Sequence, residues 1–416
     1  MRADTIVIGA GYAGLMAALQ AAESGQKTLL VSKGVGTTHW TPGSVDILGY
    51  DLATSSLVDD PRSGVGKLIA TQPDHPYAHA GLNSLDGALQ AFMALTQSQG
   101  LPYAGSADRN FLLPSPIGAV RPTAIALLSM AAGNLTRDGQ MLIIGFSKLR
   151  DFYPLLAAGN LTQAGYRARG VSIDVPVINR YRFLTSVILA QMLDDPAVRR
   201  EVVREVKAVY GREDRVGFPA VLGFRKHPEV MADLERALGV PVFEIPTPPP
   251  SVPGYRLYEA FRKALQDRGV SMIVSPMVLG AKTQNDAVES IETETSGHST
   301  FHSGKRFILA TGGLAGGGIV TDYQANIRET IFNLPLHTPA SRKEWVNARY
   351  LSPTGHPIFQ TGVMVNDSLQ PVDASGRPVF SNLLVAGSTL AHLDEWREKS
   401  HEGVSLSTGW KAGRAA

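Results

Sequence analysis

The chain has 416 residues, enough for two or three domains or one large α/β unit carrying an insertion. Hydrophobic residues make up 44% and charged residues 18%, the latter below the roughly 25% usual in soluble chains, which excludes a disordered or fibrous protein. Lys+Arg 39 against Asp+Glu 37 leaves +2 with no basic run, so no nucleic-acid partner is expected. Cysteine is absent, which excludes disulfides, thiolate metal sites and iron–sulfur ligation within the chain. No metal site is expected, and any redox work needs a borrowed cofactor.

Met1 to Ala3 is too short to hold a secretory signal before the first strand, and no apolar stretch reaches the roughly 20 residues of a membrane span. Asp4-Thr-Ile-Val-Ile8 predicts a buried strand, Gly9-Ala-Gly11-Tyr-Ala-Gly14 a tight turn, and Leu15, Ala18, Leu19 and Ala22 a helix closed by Gly25. Lys27 to Val31 predicts a second parallel strand. In this context the three glycines form a dinucleotide fingerprint: Gly9 for the turn, Gly11 for backbone approach to a pyrophosphate, Gly14 for helix packing. The phosphates then meet the helix amino end, and an ordinary tight turn is the alternative. Ser32-Lys33 stands where an acidic residue usually holds the ribose, so that contact falls to a hydroxyl or the backbone.

Tyr77 to Gln99 and Ala124 to Leu135 carry helical spacing, and Met141 to Gly145 predicts a buried strand followed by a helix through Leu155 and Ala164. Gly145 opens no second nucleotide site, because Phe146 to Arg150 lacks glycine. Pro246 to Pro253 is a stiff boundary and expected domain junction, followed by an amphipathic helix through Leu257, Tyr258, Phe261 and Leu265 that ends at Gly269. Met272 to Ile291 is expected to form a hairpin. Arg306 to Gly313 predicts a strand ending in Ala-Thr311-Gly312-Gly313, and Asn382 to Ser388 a second one ending in Gly387. Glu402 to Gly409 reads as the polar start of a terminal helix.

Taken together these segments resemble the flavoproteins related to succinate dehydrogenase and fumarate reductase. More closely, the chain resembles the family of B subunits of anaerobic glycerol-3-phosphate dehydrogenase. That likeness rests on Thr38-His-Trp-Thr-Pro-Gly-Ser-Val-Asp46, Asp74-His-Pro-Tyr77, Asp151-Phe152, Thr247 to Gly254 and Gly316 to Val320. Near its end the chain departs from the family, with Glu395-Trp-Arg-Glu-Lys-Ser-His-Glu402 in place of a glycine- and cysteine-containing stretch.

The resemblance implies a flavin-dependent oxidoreductase accompanied by a second flavoprotein and an iron–sulfur protein as fellow subunits, acting on a small molecule and passing electrons towards quinone. Such a chain is cytoplasmic or held at the inner membrane face through its partners. A free-standing reductase of a small organic acid and a non-catalytic flavin-stabilised subunit remain open. The fingerprint favours FAD, and the family keeps FMN open. The expected fold is a discontinuous Rossmann-like flavin domain, 1–50 and 251–416, around an inserted α/β domain, 51–250. The cofactor-binding set is Gly9, Gly11, Ala13, Gly14, Ser32, Lys33, His39, Gly43, Ser44, Thr311, Gly312, Gly313, Gly387, Ser388, Gly403, Ser405 and Leu406.

His39 is chemically suited to bond a flavin covalently, with a non-covalent contact expected. Catalytic candidates are Arg121, whose guanidinium suits a phosphate or carboxylate, and His401 with Glu402, which either shuttle protons or cap the last helix. Arg121, Arg256 and Arg328 otherwise read as solvated surface arginines, and Trp396 and Trp410 as core.

Overall fold

Seven strands order around the first one. In the computed structural model, which describes residues 1–294 and 297–415, Arg2–Ile8 runs parallel to Thr28–Ser32 on one side and to Thr300–Leu309 on the other. Ile6, Val7 and Ile8 are all buried, as befits a parallel strand covered on both faces. Ser271–Val274 extends the sheet parallel to Thr28–Ser32, and Leu383–Val385 pairs parallel with the end of Thr300–Leu309. The antiparallel hairpin of Val278–Gln284 and Ala287–Thr293 completes it. The hairpin thus begins at Val278 and not at Met272, because Met272 is taken into the parallel sheet against Leu30.

Helix Tyr12–Glu23 connects the first two strands, and the final helix, His401–Arg414, packs on it. That packing is close because glycines face it: a Cβ at Gly409 would stand 2.3 Å from the Ala13 carbonyl oxygen, and one at Gly413 2.4 Å from that of Ala17. The last helix is buried on most sides, so its Ser405, Ser407 and Thr408 are interior residues. Thr408 Oγ1 donates its proton to the Val404 carbonyl and accepts from the Gly387 amide at 2.9 Å.

Two compact units partition the chain: 1–37, 46–95 and 261–416 form the first, 38–45 and 96–260 the second. In the first, Tyr77 to Gln99 divides into Pro76–Ala80 and Leu82–Ser98, since Gly81 takes φ +79° and ends the shorter helix. Within the second, four parallel strands lie in the order Val242–Ile245, Arg215–Pro219, Met141–Phe146, Ala168–Ile173, with helices in the connections.

Ala124 to Leu135 is not one helix. Ile125–Leu127 forms a strand against Tyr103–Gly105 and bonds Val45, and only Leu128–Ala131 is helical; cross-strand pairing overrides a local helical preference. The helix after the proline run spans Val252–Asp267 and accommodates Pro253 in its first turn, where no amide donor is needed.

Arg256 is a buried residue and not a surface one. Its Nη1 donates to Glu244 Oε2 at 2.9 Å and its Nε to the Gly223 carbonyl at 2.9 Å. Glu244 Oε1 in turn accepts from the Leu222 amide, and Oε2 from the Ser129 hydroxyl, both at 2.9 Å. Burial alone would raise the Glu244 carboxyl, but Arg256 and these donors hold it below its ordinary value. Beside them burial and the Arg256 charge push the His227 imidazole down to about 4. Arg328, by contrast, is exposed.

Candidate cofactor site

The register of the parallel strands determines what meets at their carboxyl edge. Ile8 lies opposite Val31 and Leu309, and Leu309 opposite Val385, so the chain turns after Ile8, Ser32, Leu309 and Val385 emerge side by side. The carboxyl edge of an open parallel sheet is where this architecture binds ligands. Gly9 adopts φ +116°, and a Cβ there would stand 2.1 Å from the Ala310 carbonyl oxygen; a Cβ on Gly14 would stand 1.9 Å from the Gly9 carbonyl oxygen. These two glycines are demanded by the chain's own packing. Gly11 differs: a Cβ on it meets nothing within 4 Å.

Helix Tyr12–Glu23 starts at Gly11 with no side-chain cap and no acidic residue in its first turn. Its first amides thus open onto the free space beside Gly11, a cradle with the chemistry of a pyrophosphate site. Gly36, which the sequence pattern does not single out, folds the loop after Ser32 against this turn: a Cβ there would lie 2.5 Å from the Ala10 carbonyl oxygen. Its only signal was a glycine a few residues beyond the second strand. Ser32 is buried with its hydroxyl hydrogen-bonded to the Gly34 carbonyl, and Lys33 is exposed.

On the far side of the turn stand Thr311, Gly312 and Gly313. Thr311 Oγ1 is buried without a hydrogen-bond partner, an orphan polar atom such as a bound polar ligand would satisfy. Gly313 approaches the Ser388 carbonyl so closely that a Cβ would stand 2.4 Å from it, and a Cβ on Gly387 would stand 2.8 Å from that of Ala13. Gly403 packs against the Tyr77 hydroxyl and donates its amide to the Asp46 carbonyl at 3.0 Å, while Ser405 and Leu406 are buried within the last helix.

A cavity of about 300 Å³ opens in this unit, with Gly313, Phe359, Thr361, Ser388, Glu395 and Trp396 on its walls. Trp396 is 64% exposed and stands at this cavity, not in the core. Trp410 is half-buried over Gly87. Behind the wall, His401 Nδ1 lies 2.6 Å from Glu395 Oε2, which also accepts from the Ser388 hydroxyl at 2.6 Å.

Burial opposes a charged imidazole, but the Glu395 carboxylate, with Glu402 and Asp46 nearby, outweighs it and pushes His401 up to about 9. For Glu395 burial acts upward, yet contact with His401 and Ser388 lowers it below its ordinary value. Burial and the neighbouring Asp46 carboxylate push Glu402 up to about 7. Asp46, whose amide donates to Glu402 Oε2 at 3.3 Å, is ion-paired with Lys399. Sequence alone does not mark Glu395, Asp46 and Lys399 as site residues; the acidic and basic residues crowded just ahead of a buried helix were the available signal.

Ser400, not His401 or Glu402, precedes the last helix, and no side-chain cap bond is made there. The remaining predicted residues belong to the second unit. His39 Nε2 accepts from Trp40 Nε1 at 2.6 Å and its ring lies 5.6 Å from that of Tyr255. Gly43 gives its carbonyl to the Tyr103 hydroxyl at 2.6 Å, and Ser44 Oγ accepts from Arg121 Nη1 at 2.9 Å. Among the described residues no group of three or more His, Asp or Glu could hold a metal ion, and no helix is long and apolar enough to cross a membrane.

The parallel sheet, the uncapped helix start and the glycine turns at one edge define a dinucleotide-binding α/β protein. The FAD binding domain family model matches residues 4–405, so the chain is a flavin-dependent oxidoreductase, with FAD the favoured flavin. The chain belongs to the family of B subunits of anaerobic glycerol-3-phosphate dehydrogenase. A probable B subunit of that enzyme from Halobacterium salinarum is 35% identical over 100% of this chain and 98% of the relative. The B subunit from Yersinia pestis is 29% identical over 98% and 96% respectively. A 3-ketosteroid delta1-dehydrogenase from Sterolibacterium denitrificans has a TM-score of 0.47 and 12% identity, covering 99% of this chain and 98% of that one.

Proposed function

We propose that this flavoprotein works as one subunit of a respiratory complex that oxidises sn-glycerol 3-phosphate, with a second flavoprotein and an iron–sulfur protein as partners. The observation that carries this reading is likeness to a B subunit along the whole chain. Bound FAD supplies acceptance of two electrons. The chain's own contribution begins at Gly11, where the open turn and the first amides of helix Tyr12–Glu23 would hold the pyrophosphate. Thr311, Gly312, Gly313, Gly387 and Ser388 would border the rest of the cofactor from the adjoining strand ends.

His401 keeps a proton at Nδ1 against Glu395, and Glu402, at about 7, is the neighbouring group able to gain or lose one near neutrality. Without cysteine the chain carries no cysteine-ligated relay cluster, so electrons leave the flavin to another protein or to a bound acceptor. Any membrane attachment then runs through the partners to a quinone-reducing site.

The test is to purify the full chain, identify its flavin by mass, and measure dye reduction by sn-glycerol 3-phosphate with and without co-expressed partner subunits. Turnover only in the assembled complex is expected. Robust turnover by the chain alone overturns the role as a dependent subunit, and none in a fully loaded complex overturns the substrate.

A further inference from the structure

Glu395 is the one charged side chain among the described residues lining the 300 Å³ cavity. Its two oxygens are in different situations. Oε2 is committed, accepting from the Ser388 hydroxyl at 2.6 Å and lying 2.6 Å from His401 Nδ1. Oε1 has no partner among the described residues, and the side chain keeps 16% of its surface exposed. His401 is itself fixed, edge-on to the Tyr12 ring at a centroid distance of 6.2 Å. The cavity therefore presents an anion whose charge is stabilised from behind and whose free lone pairs lie at the front. Such a group accepts hydrogen bonds and repels other anions.

We propose that Glu395 sets the specificity of this cavity: its carboxylate binds hydroxyl or N–H donors of a neutral group and keeps carboxylate and phosphate groups away from that end of the cavity. His401 and Ser388 are positioning residues that hold it. This rests on the flavoprotein reading above and narrows it, since the carboxylate end of a small organic acid is thereby turned away from Glu395, and sn-glycerol 3-phosphate meets it only through its hydroxyls, with the phosphate held away from it. The donors come either from the hydroxylated ribityl chain and imide of the flavin half of FAD, or from the hydroxyls of a polyol substrate.

Binding measurements on the full chain separate the two sources. Wild type and Glu395→Gln are stripped of FAD and titrated with FAD and with ADP, which shares only the adenosine and pyrophosphate half. The reloaded proteins are then titrated with glycerol and with succinate, read by the flavin difference spectrum. Losing a charged acceptor should cost roughly tenfold or more in affinity. A fall for FAD with ADP unchanged assigns the donors to the cofactor, and a fall for glycerol with FAD unchanged assigns them to the substrate. In either case Glu395→Gln should take up succinate more tightly than wild type. Unchanged affinity for FAD and glycerol alike overturns the proposal, as does equal succinate binding by the two proteins.

If Glu395→Gln also loses ADP, its fold has failed, and Glu395→Asp, which keeps the charge on a shorter arm, carries the same titrations. FAD or glycerol binding must then weaken while ADP binding persists, or the proposal falls. His401→Gln should shift the same ligand as Glu395→Gln, and more so as pH falls towards the carboxylate range. A wild type that binds FAD yet ignores sn-glycerol 3-phosphate in the full complex would refute the substrate reading and leave the FAD arm of this test intact.

Discussion

The backbone of Gly9 runs so near the carbonyl of Ala310 that a single added methyl would sit 2.1 Å from that oxygen. The contact follows from register, since Ile8 pairs with Leu309 and the Ala310 amide donates to the Ile8 carbonyl at 2.8 Å. The fingerprint turn and the Ala-Thr-Gly-Gly turn are thus one packed object, and its glycines divide by what they face.

Gly9→Ala and Gly14→Ala should destabilise the protein itself, by about 2 kcal/mol or more for overpacked or strained backbone. Gly11→Val should leave the melting temperature of the FAD-free chain near wild type while emptying the site. Calorimetry of the stripped proteins, set beside flavin absorbance per chain before stripping, checks both. A Gly11→Val protein that retains FAD would show that the pyrophosphate lies elsewhere.

Stability should bend with pH on both sides, for different residues. The folded-state value of His401, raised from 6.5 to about 9, adds stability that is complete below 6.5 and disappears as pH climbs through 9. Glu402, raised from 4.5 to about 7, adds stability complete below 4.5 and lost as pH rises through 7. His227, lowered from 6.5 to about 4, acts the other way, with stability present above 6.5 and lost as pH falls towards 4. Shifts of this size correspond to roughly 3 kcal/mol each. Urea unfolding from pH 4 to 10 should show a loss between 6.5 and 9 that is absent in His401→Gln, and an acid loss that is absent in His227→Gln.

The buried Arg256–Glu244 pair gives a sharper test of the second unit. Removing one partner strands the other in the interior, so Glu244→Ala should cost about 3–5 kcal/mol. Replacing both with apolar residues of similar volume should cost less than that single change, because no uncompensated charge remains. Equal losses in the single and double variants, measured by denaturant unfolding, would mean that the pair holds the unit together by attraction and not merely by mutual neutralisation.

What could be read from the chain was what is encoded locally. Strand, turn and helix around Gly9, Gly11 and Gly14 follow one another within 23 residues, so hydrophobic period and glycine placement announce them together. Glu395 gave no such notice. Its ionisation depends on Ser388, from the turn before it, and on His401, which reaches it only after the chain reverses between the short helix Glu395–Glu398 and the last one. Arg256 looked like a surface residue because its counter-charge, Glu244, sits on a separate buried strand. Ile125 misled for a related reason: its partners, Val45 and Gly105, are supplied by two other segments of the chain, and helical spacing within its own segment carries no trace of them.

His39 supplies the last prediction. A histidine that bonds a flavin must present a free, nucleophilic ring nitrogen. Here Nε2 already accepts from the Trp40 indole at 2.6 Å, and the ring is stacked at a tilt of 31° on Tyr255. Ring and acceptor are both engaged within the second unit, so the cofactor should be held without a covalent bond. Acid precipitation of the loaded protein should leave a yellow supernatant over a colourless pellet. Ultraviolet illumination of the denatured chain in a gel should reveal no fluorescent band, in wild type or in His39→Ala. A fluorescent wild-type band that vanished in His39→Ala would require the Trp40 hydrogen bond to give way to a flavin linkage, and would overturn the expectation.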